Sequence, residues 1–89
     1  MIRVPMSDKR SDNKRRFPCH DDEQPCIICG RPVKHGGGGG AVHLVEGGDC
    51  LVRINEPYDN DAADLGEYPI GADCLRKHPE LRPYVYGPY

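Results

Sequence analysis

The amino-acid sequence predicts one small α+β domain, and three local patterns carry that prediction. The first is a Cys-x-x-Cys-Gly turn at 25–30, which points two thiols at one spot. The second is a pair of alternating apolar runs joined by Gly-Gly, a two-residue turn signal that predicts a β-hairpin over 41–54. The third is Cys74 and His78, which stand four residues apart on a predicted short helix and therefore share one of its faces.

Together the two pairs, Cys26 with Cys29 and Cys74 with His78, are predicted to bind one structural Zn²⁺ ion. Deprotonated cysteine and neutral histidine are the ligands that zinc takes in closed tetrahedral sites. A turn, a hairpin and a helix that closes the site, in this order, is the layout of a treble-clef zinc finger. The predicted fold class is therefore a small zinc-stabilised α+β domain of treble-clef type.

Other cysteines and histidines leave alternatives open. Cys19 or His20 could replace His78 as the fourth ligand. A second metal site is a further alternative, in which Cys50 and His43, sharing one hairpin face, would bind together with Cys19 or His20, although a buried cysteine more often packs as a small apolar side chain. Cys-x-x-Cys also opens a helix in thioredoxin-like redox proteins, but no βαβ pattern surrounds it here.

Composition gives the reason why a metal would be needed. Only 37% of the 89 residues are hydrophobic, with no Trp and one Phe, so the core must be thin. Small domains of this kind commonly rely on a metal or on disulfides. The odd number of five cysteines favours a metal in a reducing compartment, and the cytoplasm is expected. Structural zinc supplies about 10–16 kcal/mol in small fingers, so the metal-free chain is expected to be largely unfolded.

The chain is predicted to divide into three segments. Residues 1–24 carry few apolar side chains and many charges, which predicts a mostly disordered basic arm. Residues 25–83 form the zinc-binding domain, and 84–89 form a C-terminal tail. Within the domain, the five glycines of 36–40 are predicted to be a flexible connector, and 55–69 an acidic loop without the ligand order of an EF-hand.

Alternation gives the predicted hairpin two faces, if Glu46 lies opposite Asp49 across the turn. The face predicted to point toward the core consists of Ala41, His43, Val45, Cys50, Val52 and Ile54. The face predicted to point away from it consists of Val42, Leu44, Leu51 and Arg53.

Charge is divided unevenly along the chain. Residues 1–18 hold six basic and two acidic side chains, a net charge of +4, whereas 19–89 hold six basic and twelve acidic side chains, a net charge of −6. A zinc domain that binds nucleic acid usually carries its basic face on the folded part. The acidic body therefore favours a protein partner, and nucleic acid held by 1–18 is the alternative.

The sequence has no run of 18 apolar residues, and no membrane contact is predicted.

Two segments resemble small zinc-finger proteins of actinobacteria and their phages, a family of unknown function. Cys26-Ile27-Ile28-Cys29-Gly30-Arg31-Pro32-Val33 is similar to the Cys-x-x-Cys-Gly-Arg-Pro-Leu turn of that family. Tyr68-Pro69-Ile70-Gly71-Ala72-Asp73-Cys74-Leu75-Arg76-Lys77 is similar to its Gly-Pro-x-Cys-Ala-x-Lys helix start, with Ala72 in place of Pro and a long insert between the two segments. The resemblance implies zinc and a bacterial or phage origin.

No reaction is predicted. Ser7 and Ser11 are the only serines and lie in the arm, and the chain contains no Thr. Four protein ligands leave a zinc ion no open position for water. The enzymatic alternative is a divergent HNH-type nuclease. In that resemblance His43 would be the general base, and Asn55 would match the asparagine of such nucleases only if the alignment were shifted generously. The expected function is therefore a non-catalytic structural-zinc binding module.

Overall fold

Two antiparallel β-sheets and two short α-helices form the part of the chain that the computed structural model describes, residues 1–45, 50–53, 55–57 and 64–89. The small α+β class is confirmed. In chain order the elements are β1 (Ile2–Arg3), α1 (Arg10–Arg16), β2 (Glu23–Pro25), β3 (Pro32–Lys34), β4 (Gly40–Val45), β5 (Cys50–Val52), β6 (Asp64–Ile70), α2 (Ala72–Lys77), a 3₁₀ helix (Pro79–Tyr84) and β7 (Val85–Pro88).

Strand β4 is the centre of the five-stranded sheet. It pairs with β6 along its whole length, from Gly40 to Val45. Its opposite edge is shared, since β5 pairs with His43 to Val45 and β7 pairs with Gly40 to Val42. Strand β1 then extends the sheet beyond β5. Strands β2 and β3 form the separate two-stranded sheet that carries the Cys-x-x-Cys turn.

Strands β4 and β5 form the hairpin, with Val45 opposite Cys50 and Leu44 opposite Leu51. This register is the one expected if Glu46 lies opposite Asp49. The turn at 46–49 and the predicted hairpin end at Ile54 lie outside the described residues.

The main core lies on the hairpin face that carries Val42, Leu44 and Leu51. The sequence predicts that this face points away from the core, and that prediction is wrong. Val42, Leu44 and Leu51 are at most 5% exposed and belong to one apolar cluster with Ile27, Ile70 and Leu81. Burying a side chain of this size contributes about 1.5–3 kcal/mol. Val45 and Val52 on the other face are buried as well. Because both faces of β4 are covered, alternation alone could not distinguish the core side.

Residues 1–24 differ from the disordered arm that the sequence predicts. Ile2 pairs with Leu51 as part of β1, and Val4 is buried in the core. The backbone N–H of Ser7 donates to the carbonyl of Ile28 at 2.8 Å. Few apolar residues are needed here, because an existing sheet edge and the Cys-x-x-Cys turn supply the hydrogen-bond partners.

Gly39 and Gly40 at the end of the glycine run are closely packed, so this part of the run differs from the flexible connector that the sequence predicts. A Cβ atom on Gly39 would lie 2.6 Å from the carbonyl oxygen of Ile70, and one on Gly40 would lie 2.8 Å from Val85 Cγ1. These contacts show that β6 and β7 approach the start of β4 too closely for a side chain. The N–H of Gly36 also donates to the carbonyl of Tyr89 at 2.8 Å.

Two further segments, the predicted acidic loop and the predicted C-terminal tail, contain strands that the sequence does not predict. Strand β6 occupies the end of the predicted acidic loop, because it pairs with β4 and places Pro69 and Ile70 in the interior. Residues 58–63 of that loop lie outside the described residues. The C-terminal tail forms β7 and packs on β4. Among the described helices, none is long and apolar enough to cross a membrane.

Candidate metal centre

The turn that carries Cys26 and Cys29 is a tight reversal between β2 and β3. The N–H of Cys26 donates to the carbonyl of Arg31, and the N–H of Gly30 donates to the carbonyl of Cys26, both at 2.9 Å. Gly30 has a φ of +78°, which favours glycine. A Cβ atom there would also lie 2.3 Å from the carbonyl oxygen of Arg10 in α1. Glycine is therefore required by the turn and by the helix packed on it.

Cys74 reaches the same place from the first turn of α2. Gly71 is the N-cap residue of this helix, with an extended backbone, and its carbonyl accepts from the N–H of Leu75 at 3.0 Å. The N–H of Gly71 donates to Sγ of Cys26 at 3.3 Å. The start of α2 is thus hydrogen-bonded directly to the Cys-x-x-Cys turn.

The three sulfur atoms of Cys26, Cys29 and Cys74 lie within 4.8 Å of one another. Thiolates bound to zinc at about 2.3 Å in a tetrahedral site lie about 3.8 Å apart, so the cluster fits an ion of this kind with a small contraction. The cysteines are all free thiols in this structure. These three residues are close enough to hold a metal ion.

The electrostatics of the cluster favour a bound cation. Burial raises the pKa of the Cys26 thiol, but the backbone N–H groups of Gly71, Cys29 and Ile28 outweigh it, so the net shift is downward. Burial, followed by the negative charge of Cys26, raises the pKa of Cys74 far above its ordinary value. Adjacent thiolates repel one another, whereas a metal ion among them reverses this balance and deprotonates them.

His78 is not part of this group, although the sequence predicts it as the fourth ligand. Helix α2 ends at Lys77, and His78 has a φ of −127° and a ψ of 68° because Pro79 disfavours helical angles in the residue before it. The N–H of His78 still donates to the carbonyl of Cys74 at 2.9 Å, so His78 closes the last turn of α2 as its C-cap residue. Nδ1 of His78 lies 3.3 Å from Oε1 of Glu80. The assignment of His78 as a ligand stays a prediction.

The other candidate ligands also lie outside the thiol cluster. Cys19 and His20 are exposed, and the N–H of His20 donates to Glu23 Oε1 at 2.9 Å. His43 is half-buried on β4, with its ring centroid 6.1 Å from that of Tyr86. Cys50 is half-buried on β5. Within the described ranges, these residues do not assemble a second group of three metal ligands.

An open cavity of about 720 Å³ adjoins the three thiols. Its lining includes the basic residues Lys9, Arg31, Lys34 and Lys77 and the acidic residues Glu23 and Asp73. Sequence reasoning missed this basic group, because its members come from the arm, the turn and α2. The signal available in the sequence was the charge of the arm, but only the docking of α1 shows where that charge is placed.

The cluster of three cysteines therefore lies between the β2–β3 turn and α2 and is bordered by basic side chains. The treble-clef arrangement and the resemblance to small zinc-finger proteins of actinobacteria and their phages stay predictions. Comparisons of this chain with protein-family models, with curated proteins and with solved structures find no match.

Proposed function

We propose that this chain is a non-catalytic binding module whose fold is held together by one structural zinc ion. The observation that carries the proposal is the cluster of Cys26, Cys29 and Cys74, with sulfur atoms within 4.8 Å of one another. A metal bound there would join the turn of the small β2–β3 sheet to α2, two units that are distant in sequence. A thin core makes such a link valuable, because small domains commonly depend on a metal.

Zinc is the metal that the donor set favours. Thiolates select soft or borderline ions, and sulfur with one imidazole is a common structural zinc set. We propose His78 as the fourth ligand. Its contact with Glu80 supports this, because a histidine that binds a metal commonly gives its other ring N–H to a carboxylate. The β2–β3 turn, the β4–β5 hairpin and α2 would then be the three parts of a treble clef.

A closed set of four protein ligands leaves no position for a reactive water molecule, which is why we propose no reaction. The nuclease alternative would need His43 as a general base. That residue packs beside the ring of Tyr86 and lies outside the cysteine cluster. Metal-dependent nicking of plasmid DNA that is abolished by His43→Ala would favour the nuclease over the binding module.

Two classes of partner remain proposals. The acidic composition of 19–89 supports a protein partner in the cytoplasm of a bacterium, or of the host if the chain is encoded by a phage. The second candidate is nucleic acid, and a specific observation favours it. Lys14, Arg15 and Arg16 of α1 are exposed, and α1 is hydrogen-bonded to the Cys-x-x-Cys turn, although the sequence predicts these side chains on a disordered arm.

Native mass spectrometry of the full chain tests the zinc proposal. One zinc ion per chain is expected, and its removal by a chelator should abolish the folded circular-dichroism spectrum. Cys74→Ser should lose the metal, whereas Cys50→Ser is the matched control and should keep it. A chain that stays folded without metal would contradict a structural role for zinc.

A further inference from the structure

We propose that the exposed basic surface beside the metal centre binds single-stranded nucleic acid. This surface, named here the basic face, consists of Lys9, Lys14, Arg16, Phe17, Arg31 and Lys77, all exposed. The inference rests on the proposed function in one respect, namely that a metal-held turn fixes the surface in place.

The members of the basic face are contiguous. Lys9, Arg31 and Lys77 line the same open cavity beside the thiols. The guanidinium carbon of Arg31 lies 4.8 Å from the centroid of the Phe17 ring, and that of Arg16 lies 5.8 Å from it. Arg31 therefore joins the basic wall of the cavity to an exposed aromatic ring.

Hydrogen bonds hold this surface on the metal-binding turn. Nε of Arg10 donates to the carbonyl of Ile27 at 3.1 Å, and Nδ2 of Asn13 donates to the carbonyl of Cys29 at 2.8 Å. Helix α1 buries none of its own side chains. It is thus attached through polar contacts on one side, which leaves Lys14 and Arg16 directed to external partners.

The charge of the basic face is not neutralised within the described part of the chain. Neighbouring cations have acidic partners, as in the pairs Arg15–Asp12, Lys34–Asp22 and Arg76–Asp73. The five cations of the basic face make no such ion pair among the described residues. A zinc ion with three thiolates would carry a net charge of −1, which five positive charges exceed. A polyanion therefore complements this surface.

The exposed ring of Phe17 favours a single strand over a duplex as the ligand. Phe17 is 37% exposed and is the only phenylalanine in the chain. Aromatic side chains between basic residues bind single strands by stacking on unpaired bases, while the cations contact phosphates. Bases in a duplex are already stacked and do not present their faces. An acidic peptide would meet the cations but would gain little from Phe17.

Fluorescence anisotropy tests the proposal with the zinc-loaded full chain and fluorescein-labelled oligonucleotides. The probes are dT12, U12 and a 12-base-pair duplex, and the zinc content is measured in parallel. Both single strands should bind more tightly than the duplex, and comparison of dT12 with U12 separates DNA from RNA. With three to five phosphate contacts, the slope of log K against log salt should be roughly −2 to −3.5, at about −0.7 per contact.

Variants locate the binding surface. Arg31→Gln and Arg16→Gln should each weaken binding several-fold and make the salt slope shallower. Phe17→Ala should weaken binding about tenfold, and Phe17→Trp should restore it, because stacking needs only an aromatic face. Arg82→Gln removes the same charge from the 3₁₀ helix, outside the basic face, and should leave the affinity unchanged.

Several outcomes would overturn the proposal. These are a zinc-loaded chain that binds no single strand at 50 mM salt, tighter binding of the duplex, wild-type affinity of Phe17→Ala, and equal competition by polyglutamate. Loss of zinc from Arg31→Gln or Lys77→Gln would assign these cations to the metal site and would also overturn it. Binding of U12 by zinc-free protein, if it still depended on Phe17, would contradict the structural role of zinc and would leave the nucleic-acid proposal standing.

Discussion

The backbone N–H of Gly71 donates a hydrogen bond to Sγ of Cys26 at 3.3 Å and so connects the start of α2 to the Cys-x-x-Cys turn. This bond belongs to the group of backbone donors that lower the pKa of Cys26 against the opposing effect of burial. It favours the thiolate form of Cys26 within the group of three cysteines that could hold a metal ion.

Removing that donor should weaken metal binding. Gly71 has a φ of −66°, which proline can adopt, so Gly71→Pro deletes the N–H without imposing a new backbone angle. Loss of one such bond should raise the zinc Kd about 2–12-fold, and the proline Cδ, which replaces the amide hydrogen facing Sγ of Cys26, should add to this loss. Gly71→Ala is the matched control, because it keeps the N–H and its Cβ would meet only ordinary contacts at 3.8 Å or more. Competition with a chromophoric chelator measures both, and equal affinities would show that the bond is unimportant.

Acidification should release the metal. Zinc binds thiolates and not thiols, so protons compete with the ion, and each bound cysteine adds a proton to the exchange. The apparent affinity should fall as pH falls, with a limiting slope of about three decades per pH unit for three cysteines. Zinc release and circular dichroism, followed together from pH 8 to pH 4, should show coincident loss of metal and fold. A fold that outlasts the metal would argue against a structural role.

His78→Ala tests the fourth ligand. If His78 binds, this change should weaken Co²⁺ and Zn²⁺ binding at least tenfold and shift the visible absorption of the Co²⁺ form. His20→Ala tests the alternative ligand in the same assay and should have no effect. The reverse pattern would move the fourth ligand to the segment before β2.

Gly30→Ala should loosen α1 from the turn. The new Cβ would lie 2.3 Å from the carbonyl oxygen of Arg10, and the φ of +78° adds backbone strain. Gly36→Ala is a control with the same φ of +78° and no atom within 4 Å of the new Cβ. Strain at such an angle costs about 1–2 kcal/mol in both variants. Only Gly30→Ala also creates the close contact with Arg10, so it should be the more destabilising of the two. Urea unfolding measures the difference, and hydrogen exchange should show faster exchange in α1 only for Gly30→Ala.

Leu51→Ala tests whether the face of β5 that carries Leu51 packs in the core. Leu51 is 0% exposed, so truncation should lower the free energy of unfolding by about 2–5 kcal/mol. Leu65→Ala removes the same atoms from a side chain that is 40% exposed and should cost much less. Similar losses in the two variants, measured by urea unfolding, would contradict the packing described for β5.

Local patterns predict the short-range features of this fold and miss the long-range ones. The Cys26–Gly30 turn, the pairing of Val45 with Cys50 and the short helix after Gly71 follow from neighbouring residues. The paired cysteines were recognisable because zinc sites need a characteristic local spacing.

The remaining features depend on partners that are distant in sequence. Strand β1 forms because Ile2 pairs at the edge of β5, and Gly39 and Gly40 are required by the close approach of β6 and β7. Pro79 ends α2 at Lys77 and leaves His78 as its C-cap residue, and the assignment of His78 as a ligand stays a prediction. The core face was misjudged because both faces of β4 are buried.

The shared edge of β4 has a consequence for self-association. Strand β7 covers the backbone groups of Gly40 to Val42, and β5 covers only His43 to Val45. Without residues 85–88, a buried apolar strand would present unpaired N–H and C=O groups, which is the template for edge-to-edge pairing between chains. Strand β7 therefore shields this edge of β4 from pairing with a second chain.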